Sequence, residues 1–480
     1  MKTKIRSVLI SVALICSAAA LRDARAVNPP PDGGYPNFTT AEGTNALKNL
    51  TTGAANTAVG WFSLFGDTTA SFNTGVGAGT LLFNNGDQNT AVGAATLLFN
   101  TIGLNNTAVG AAALSRNIDG NYNTAIGANA LQNNTGGVGN TANGYHALYA
   151  NTGGNFNTAN GHQALASNTT GTGNTANGVN ALVFNTTGAH NAANGDSALY
   201  SNTTGDFNTA NGYQALFSNT TGGFNTAIGH EALLSNVSGM RNIAIGSEAL
   251  KAKTDGDQNV AIGNQALNAN ATGYLNTAAG DQALAFSNGH DNTALGFGAG
   301  GAVTTASNVV CIGSQSFGRN ESDSCFITNI WNRPGGSQAV YVDGGGKLGF
   351  QVSSRRFKDE IKPMEQASEV IYGLKPVSFR YKPKIDPSRP LSFGLIAEEV
   401  EKTSPDLVIR DADGSVSSVR YDAVNAMLLN EFLKEHRKVQ KLEAVLDAVT
   451  ARLNNQERQL QKVSALLKTS KASRQVASRN

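Results

Sequence analysis

Ser353 and Lys358 stand five residues apart in the stretch Ser353-Ser354-Arg355-Arg356-Phe357-Lys358, which runs on into Asp359-Glu360-Ile361. A serine hydroxyl and a lysine amine act as nucleophile and base when a loop folds one onto the other, and the pair then supports covalent catalysis. A lysine can act as that base only where burial or a neighbouring cation favours its neutral form, and Arg355 and Arg356 are candidate neighbours. Both residue types are common, so the same spacing also fits a solvent-facing loop with no chemistry.

The elements that would position this pair differ sharply on its two sides. Before it lies a monotonous array, and after it a charge-rich segment ending in a long helix. Of 480 residues 54 are glycine, and residues 51–300 hold only 15 charged side chains, 11 acidic and 4 basic. A stretch so poor in charge and so rich in Asn, Thr, Ala and Gly is either low-complexity disorder or a regular solenoid. The formal net charge of +2 averages a mildly acidic array and a basic C-terminus, with no basic stripe carrying interleaved aromatics, so no nucleic-acid partner is expected. Six histidines, none in ligand spacing, predict no metal site, and no cofactor is expected.

Periodicity selects the solenoid. The motif Asn-Thr-Ala-x-Gly-x-x-Ala-Leu starts at Asn56 and recurs in fifteen copies to Asn292, spaced by 17 residues with two steps of 16. One supersecondary unit stacked on its copies is implied. The glycine four residues after each Asn, from Gly60 to Gly296, predicts a turn with positive φ or a close backbone approach. Leucine fills the eighth position in fourteen of the fifteen copies, from Leu64 to Leu284. Stacked coil on coil, these leucines form an apolar spine worth ~2 kcal/mol per coil when buried, with a small Ala such as Ala147, Ala164 or Ala181 beside it. Asn and Thr at matching positions predict hydrogen-bonded ladders. The acidic pattern of calcium-binding β-rolls is absent. Each unit holds a short strand over Asn-Thr-Ala-x-Gly and a second element, strand or single helical turn, over x-x-Ala-Leu-x-x-Asn. The array loosely resembles the head repeats of trimeric autotransporter adhesins, although the usual repeat there is shorter. One thin spine per chain buries little, so three chains around an axis are expected to supply the missing burial.

The chain therefore reads as mainly β: a repetitive trimeric β-solenoid shaft of 17-residue coils, a small α+β domain and a C-terminal coiled coil. Residues 1–26 read as a signal peptide, with Lys2, Lys4 and Arg6 before an apolar core from Val8 to Leu21 and a small-x-small site at Ala24-Arg25-Ala26. An uncleaved N-terminal anchor is the alternative, and Ile15 before Cys16 argues against a lipoprotein. Export across a bacterial inner membrane, to the cell surface or beyond, follows. A Pro- and Gly-rich leader fills 27–50, the array 51–300 and a compact neck 301–352. Cys311 and Cys325 could bridge in an oxidising compartment, or be small buried hydrophobes in strand-like runs.

Residues 353–424 predict a small domain, with a helical run over Pro363–Tyr372, a strand over Val377–Tyr381, a loop through Pro383–Pro390, then Leu391–Ala397. A long helix starts at Ala423, and the coiled coil is expected over 425–468, with a basic polar tail at 469–480. Its apolar residues keep alternating spacings of three and four at Val439, Leu442, Leu446, Val449, Leu453, Leu460, Val463 and Leu467, with Gln456 in one core slot as a register device.

The Ser353–Lys358 segment resembles the start of the peptidase S74 domain, the intramolecular chaperone of phage endosialidases and tail fibres. The likeness continues through Gly394-Leu395-Ile396-Ala397-Glu398-Glu399-Val400-Glu401, Ser404-Pro405-Asp406-Leu407-Val408 and Val419-Arg420-Tyr421-Asp422-Ala423, covering about residues 340–440. It implies a domain that guides assembly of a homotrimeric β-fibre and then cuts itself off on the N-terminal side of a serine. Carried over, Ser353 is the nucleophile, Val352-Ser353 the scissile bond, Lys358 the activating amine and Arg356 the supporting arginine. Ser354 stands where many members have Asp, which leaves open a self-cleaving serine endopeptidase or a non-cleaving trimerisation module.

The leading expectation is an exported, adhesin-like homotrimeric fibre that presents repetitive polar surface to a glycan, receptor or solid. A phage-type tail fibre binding a host receptor is the rival, against which the signal sequence argues. An array that cleaves polysaccharide needs paired carboxylates, and acids are sparse here.

Overall fold

The computed structural model describes residues 36–328, 340–342, 348–350, 354–383, 385–386, 388–411 and 413–477. It divides into two units, Met1–Arg333 and Pro334–Asn480. The segment read as a signal peptide, and both residues of the Val352-Ser353 bond, lie outside the described residues.

The first unit is a parallel β-solenoid. Its strands run from β1 (Thr40–Glu42) to β18 (Ser324–Ile327) in one 18-stranded sheet, each strand paired with that of the next coil. The register sets like residue over like: Thr158 on Thr175, Ala159 on Ala176, Asn160 on Asn177. Alternation along a strand turns the middle residue inward, and Ala159 is fully buried while Thr158 and Asn160 are half-buried.

The glycine after each strand meets both expectations. Gly161 has φ +144°, and a Cβ there would lie 2.3 Å from the Gly178 carbonyl oxygen. The second element is neither strand nor helix. Gln163 (φ 57°) and Leu165 (φ 53°) continue the left-handed backbone at every second residue, so the segment is a run of tight turns. A left-handed L-residue costs roughly 1–2 kcal/mol. Stacking offsets it: Gln163 N–H donates to Tyr145 O at 2.9 Å and Leu165 N–H to Ala181 O at 3.0 Å, in the coils on either side. Leu165 and Ala164 are fully buried, as are their counterparts in neighbouring coils. The spine thus closes within one chain, and the expectation that three chains are needed to bury it is corrected: left-handed residues such as Phe156, Gln163 and Leu165, recurring in the coils, curl the backbone tightly enough to surround each leucine.

Two columns of buried asparagines fill the rest of the interior. In the motif column, Asn157 takes Asn140 Oδ1 with its backbone N–H at 3.0 Å and with Nδ2 at 3.1 Å, and Nδ2 also reaches Gly171 O at 2.9 Å. In the second column Asn151 Nδ2 donates to Asn134 Oδ1 at 2.8 Å and to Gly154 O at 3.0 Å. The asparagine amides are therefore satisfied largely by the neighbouring coils, the condition for burying them, with Asn236 Oδ1 left as an exception. A second glycine column makes room for this: a Cβ on Gly171 would lie 2.5 Å from Asn168 Oδ1 and 2.4 Å from Gly188 O. Two ionisable residues interrupt the second column, Asp67 near its start and Lys253 near its end, both fully buried.

The solenoid runs beyond the legible repeat in both directions. Thr39 takes the asparagine place in the first coil, and Leu47 begins the spine. At the far end Val309 takes the same place, donating its backbone N–H to Asn292 Oδ1 at 2.9 Å. The stretch read as the start of a neck therefore contains β17 (Val309–Ile312) and β18. Terminal repeats of a solenoid are commonly atypical because they cap the stack. Cys311 occupies the inward Ala position and is buried, whereas Cys325 pairs with Val310 and is exposed. The two thiols are free, on opposite faces of neighbouring strands.

In the second unit, β19 (Val340–Val342) and β20 (Leu348–Phe350) form an antiparallel pair. A 3-10 helix, Glu365–Gly373, replaces the predicted helical run. There follow β21 (Val377–Phe379) antiparallel to β22 (Ser392–Gly394), helix α1 (Ala397–Thr403), β23 (Val408–Arg410) antiparallel to β24 (Val416–Val419), and the 57-residue helix α2 (Tyr421–Ala477). No helix among the described residues is long and apolar enough to cross a membrane.

Candidate functional site

Ser354 is extended (φ −64°, ψ 142°) and leads into a single 3-10 turn, Arg355–Phe357. Phe357 N–H donates to Ser354 O at 3.0 Å and Lys358 N–H to Arg355 O at 3.1 Å. The Arg356 guanidinium lies 4.5 Å from the centre of the Phe357 ring, a cation–π contact. Residues 354–360 are all exposed. Lys358 and Arg356 thus share one open turn, while the position of Ser353, and so the nucleophile-to-base distance, lies outside the described residues.

Downstream, the three spaced motifs converge. Val400 of α1, Leu407 just before β23, Val408 at its start, and Val419 at the end of β24 are buried together, with Val370, Leu374, Leu395, Ala423, Val424 and Met427 packed around them. Arg420 N–H donates to Leu407 O at 2.9 Å, and Leu395 N–H donates to the Tyr421 hydroxyl at 3.0 Å. Four buried side chains make a small core.

One polar cluster clamps the 3-10 helix onto α2. Glu431 is buried at 5% exposure; its carboxylate accepts from the Ser368 hydroxyl, from the Tyr372 hydroxyl at 2.9 Å and from Lys434 Nζ at 2.7 Å. Asn430 Nδ2 donates to Ser368 Oγ at 2.7 Å. Lys434 foremost, then Ser368 and Tyr372, hold the Glu431 carboxyl down at about 2. Sequence reasoning missed this cluster. Its signal was Asn430-Glu431 set between the apolar runs Met427-Leu428-Leu429 and Phe432-Leu433. A fully bonded carboxylate with a lysine three residues on is a structural tie. Among the described residues no group of His, Cys, Asp and Glu is placed to hold a metal.

Residues 353–409 match the model of the peptidase S74 family, the chaperone of endosialidase. The match begins at Ser353 and ends within β23, so it covers the turn bearing Lys358 and Arg356, the 3-10 helix and α1, but none of the solenoid. No curated protein and no solved structure matches the chain. A chaperone-of-endosialidase segment thus follows a β-solenoid shaft in one chain, and a long helix follows the chaperone segment.

Proposed function

We propose that this chain is an exported, adhesin-like homotrimeric fibre, assembled through its S74 segment and α2. The observation that carries the reading is the seam of α2. Its residues of alternating three and four spacing lie exposed in the single chain, with Leu442 at 67%, Leu453 at 58% and Leu460 at 69%. A helix so long, with an apolar stripe and no cover, is stabilised by winding on copies of itself. Phe393 at 77% and Leu428 at 57%, beside the small core, add apolar surface for the same copies to cover.

Assembly then allows the cut. The turn bearing Lys358 is open in the single chain, and packing of neighbouring copies would partly cover the Lys358 amine and favour its neutral form. Ser353 Oγ adds to the Val352 carbonyl carbon as its proton passes to Lys358 Nζ. The peptide nitrogen of Ser353 leaves with that proton, giving an ester. Water hydrolyses the ester, leaving a Val352 carboxylate and a fragment with Ser353 at its amino end. Arg356 supports the turn. The reaction is a single turnover in cis. The shaft, released or retained, stays outside the cell and offers its repetitive surface to a glycan or receptor.

Intact mass, native and denatured, of the protein and of Ser353→Ala and Lys358→Ala tests this. A 128-residue fragment beginning at Ser353, missing from both variants, supports self-cleavage with those roles. Full-length chain in all three, trimeric in the native spectrum, supports the second reading, a non-cleaving trimerisation module, which Ser354 in place of Asp favours. A monomeric native mass overturns both.

A further inference from the structure

The solenoid closes its own core yet leaves an apolar strip open along its strand face, apart from the exposed aromatics elsewhere on the coil such as Phe156 and Phe224. On each strand the residue after the inward Ala points outward, and from coil to coil these residues form a straight column. From Val59 to Ile126 the column is Val or Ile, and from Ile228 to Leu295 it is Ile or Leu apart from Ala279. Val59, Val76, Val92 and Val109 are each 37% exposed and Ile262 44%. Between the two blocks, five consecutive coils carry Asn, from Asn143 to Asn211. The asparagines run as a bonded row, Asn160 Nδ2 to Asn177 Oδ1 and Asn177 Nδ2 to Asn194 Oδ1, both at 2.8 Å. The companion outward column is Thr in most coils, and neither column carries a charge from Thr57 to Ile327.

We propose that this strand face is where the shafts of neighbouring copies pack, side by side and at the same axial level, with the central asparagine block setting the register. The inference rests on the fibre reading and says which surface makes the shaft. Three observations on the face support a second copy of this chain as its occupant. The strip is long enough: at ~4.8 Å per strand and ~10 Å across it offers on the order of 800 Å² per copy, the size of a stable protein interface. Its pattern is self-matching, because copies at equal height set Val or Ile against Val or Ile, and Asn against Asn. A slip of several coils would set the polar asparagine row against aliphatic side chains, where the amide and carbonyl groups not used within the row would lose water without a partner, at a cost in free energy. The asparagine block therefore does for a solenoid what a buried polar residue does for a coiled-coil seam.

The test uses the full chain in a Cys325→Ser background, where Cys311 is buried. Single cysteines are placed at Asn177 and Ile245 on the strip, and at Thr221, an exposed position elsewhere on the coil. After oxidation with copper phenanthroline, interchain disulfides at Asn177→Cys and Ile245→Cys should exceed those at Thr221→Cys by about tenfold, as effective concentrations at an interface exceed bulk ones. Co-expressed Asn177→Cys and Ile245→Cys chains, four coils apart, should form no mixed disulfide. A native trimer with equal cross-linking at all three sites would overturn the proposal and leave the fibre reading standing. Mixed disulfides as abundant as matched ones would overturn the register. A monomer by native mass would overturn the fibre reading itself.

Discussion

Asn236 and Lys253 occupy consecutive rungs of one buried column and do not meet. In every pair of asparagines from Asn84 to Asn236 the upper amide donates to the lower side-chain oxygen, as Asn236 Nδ2 does to Asn219 Oδ1 at 2.7 Å. Lys253 takes the next place, but its ammonium turns the other way, to Asn270 Oδ1 at 2.9 Å and to Gly273 O. Asn236 Oδ1 is left as a buried acceptor with no partner.

Lys253→Asn should therefore stabilise the shaft. It restores the donor for Asn236 and removes a buried charge, together worth about 1–3 kcal/mol. Burial lowers the Lys253 pKa to about 8 from 10.5. Between those values the folded chain binds fewer protons than the unfolded one, so stability rises as pH climbs from 8 to 10.5. Denaturant melts of the two proteins across that range should differ most at pH 7–8, the gap narrowing above it to what the Asn236 bond contributes. Parallel curves at every pH would remove the buried charge from the explanation.

Asp67 gives the opposite slope. Desolvation by burial raises its carboxyl to about 6 from 3.8, against bonds from Ala70 N–H, Asn84 and Asn73 that favour the charged form. Here the folded chain holds its proton more tightly, so stability is lost as pH rises from about 4 through 6. Asp67→Asn supplies an amide like the rest of the column and should gain about 2–3 kcal/mol above pH 6, with little change at pH 4. Melting of this variant and the parent at pH 4 and pH 7 decides it.

Glycines at two kinds of site should respond differently. Gly161→Ala meets both a positive φ and the Gly178 backbone, and should break coil stacking at a cost of about 3 kcal/mol or more. A Cβ at Gly153 meets nothing within 4 Å, so Gly153→Ala should be neutral to within about 0.5 kcal/mol. Hydrogen exchange of the flanking coils would show whether the loss is local.

The Glu431 clamp should fail in acid. Its folded pKa is held at about 2, below the ordinary 4.5, so its contribution is complete above 4.5 and fades as pH falls toward 2. Glu431→Gln should lose that acid limb and release the 3-10 helix from α2 at neutral pH. Near-ultraviolet circular dichroism of Tyr372 from pH 2 to pH 7 reads both effects.

The period alone determined the solenoid, its stacked leucines, its asparagine ladders and the place of the positive-φ glycines. A strict repeat forces like residues to meet like, so each coil's contacts can be read from one copy of the motif. Alternating three and four spacing gave α2 its stripe in the same way, while the helix itself runs beyond that stripe at both ends, from Tyr421 to Ala477. The tertiary structure decided what a short apolar run cannot encode. Backbone handedness at Gln163 and Leu165 is held by hydrogen bonds to other coils, and a propensity for strand or helix says nothing of it. The first coil carries Thr39 in place of Asn, because a cap has a neighbour on one side only, and near the far end Val309 takes the Asn place. Lys253 and Asp67 read as ordinary charged residues until the columns are stacked, when both prove to point inward. The Glu431 cluster joins residues about sixty positions apart, a distance no local pattern spans. Whether the spine needed other chains was likewise a question of curvature, and the recurring left-handed residues of the coils answer it by closing the chain around its own leucines.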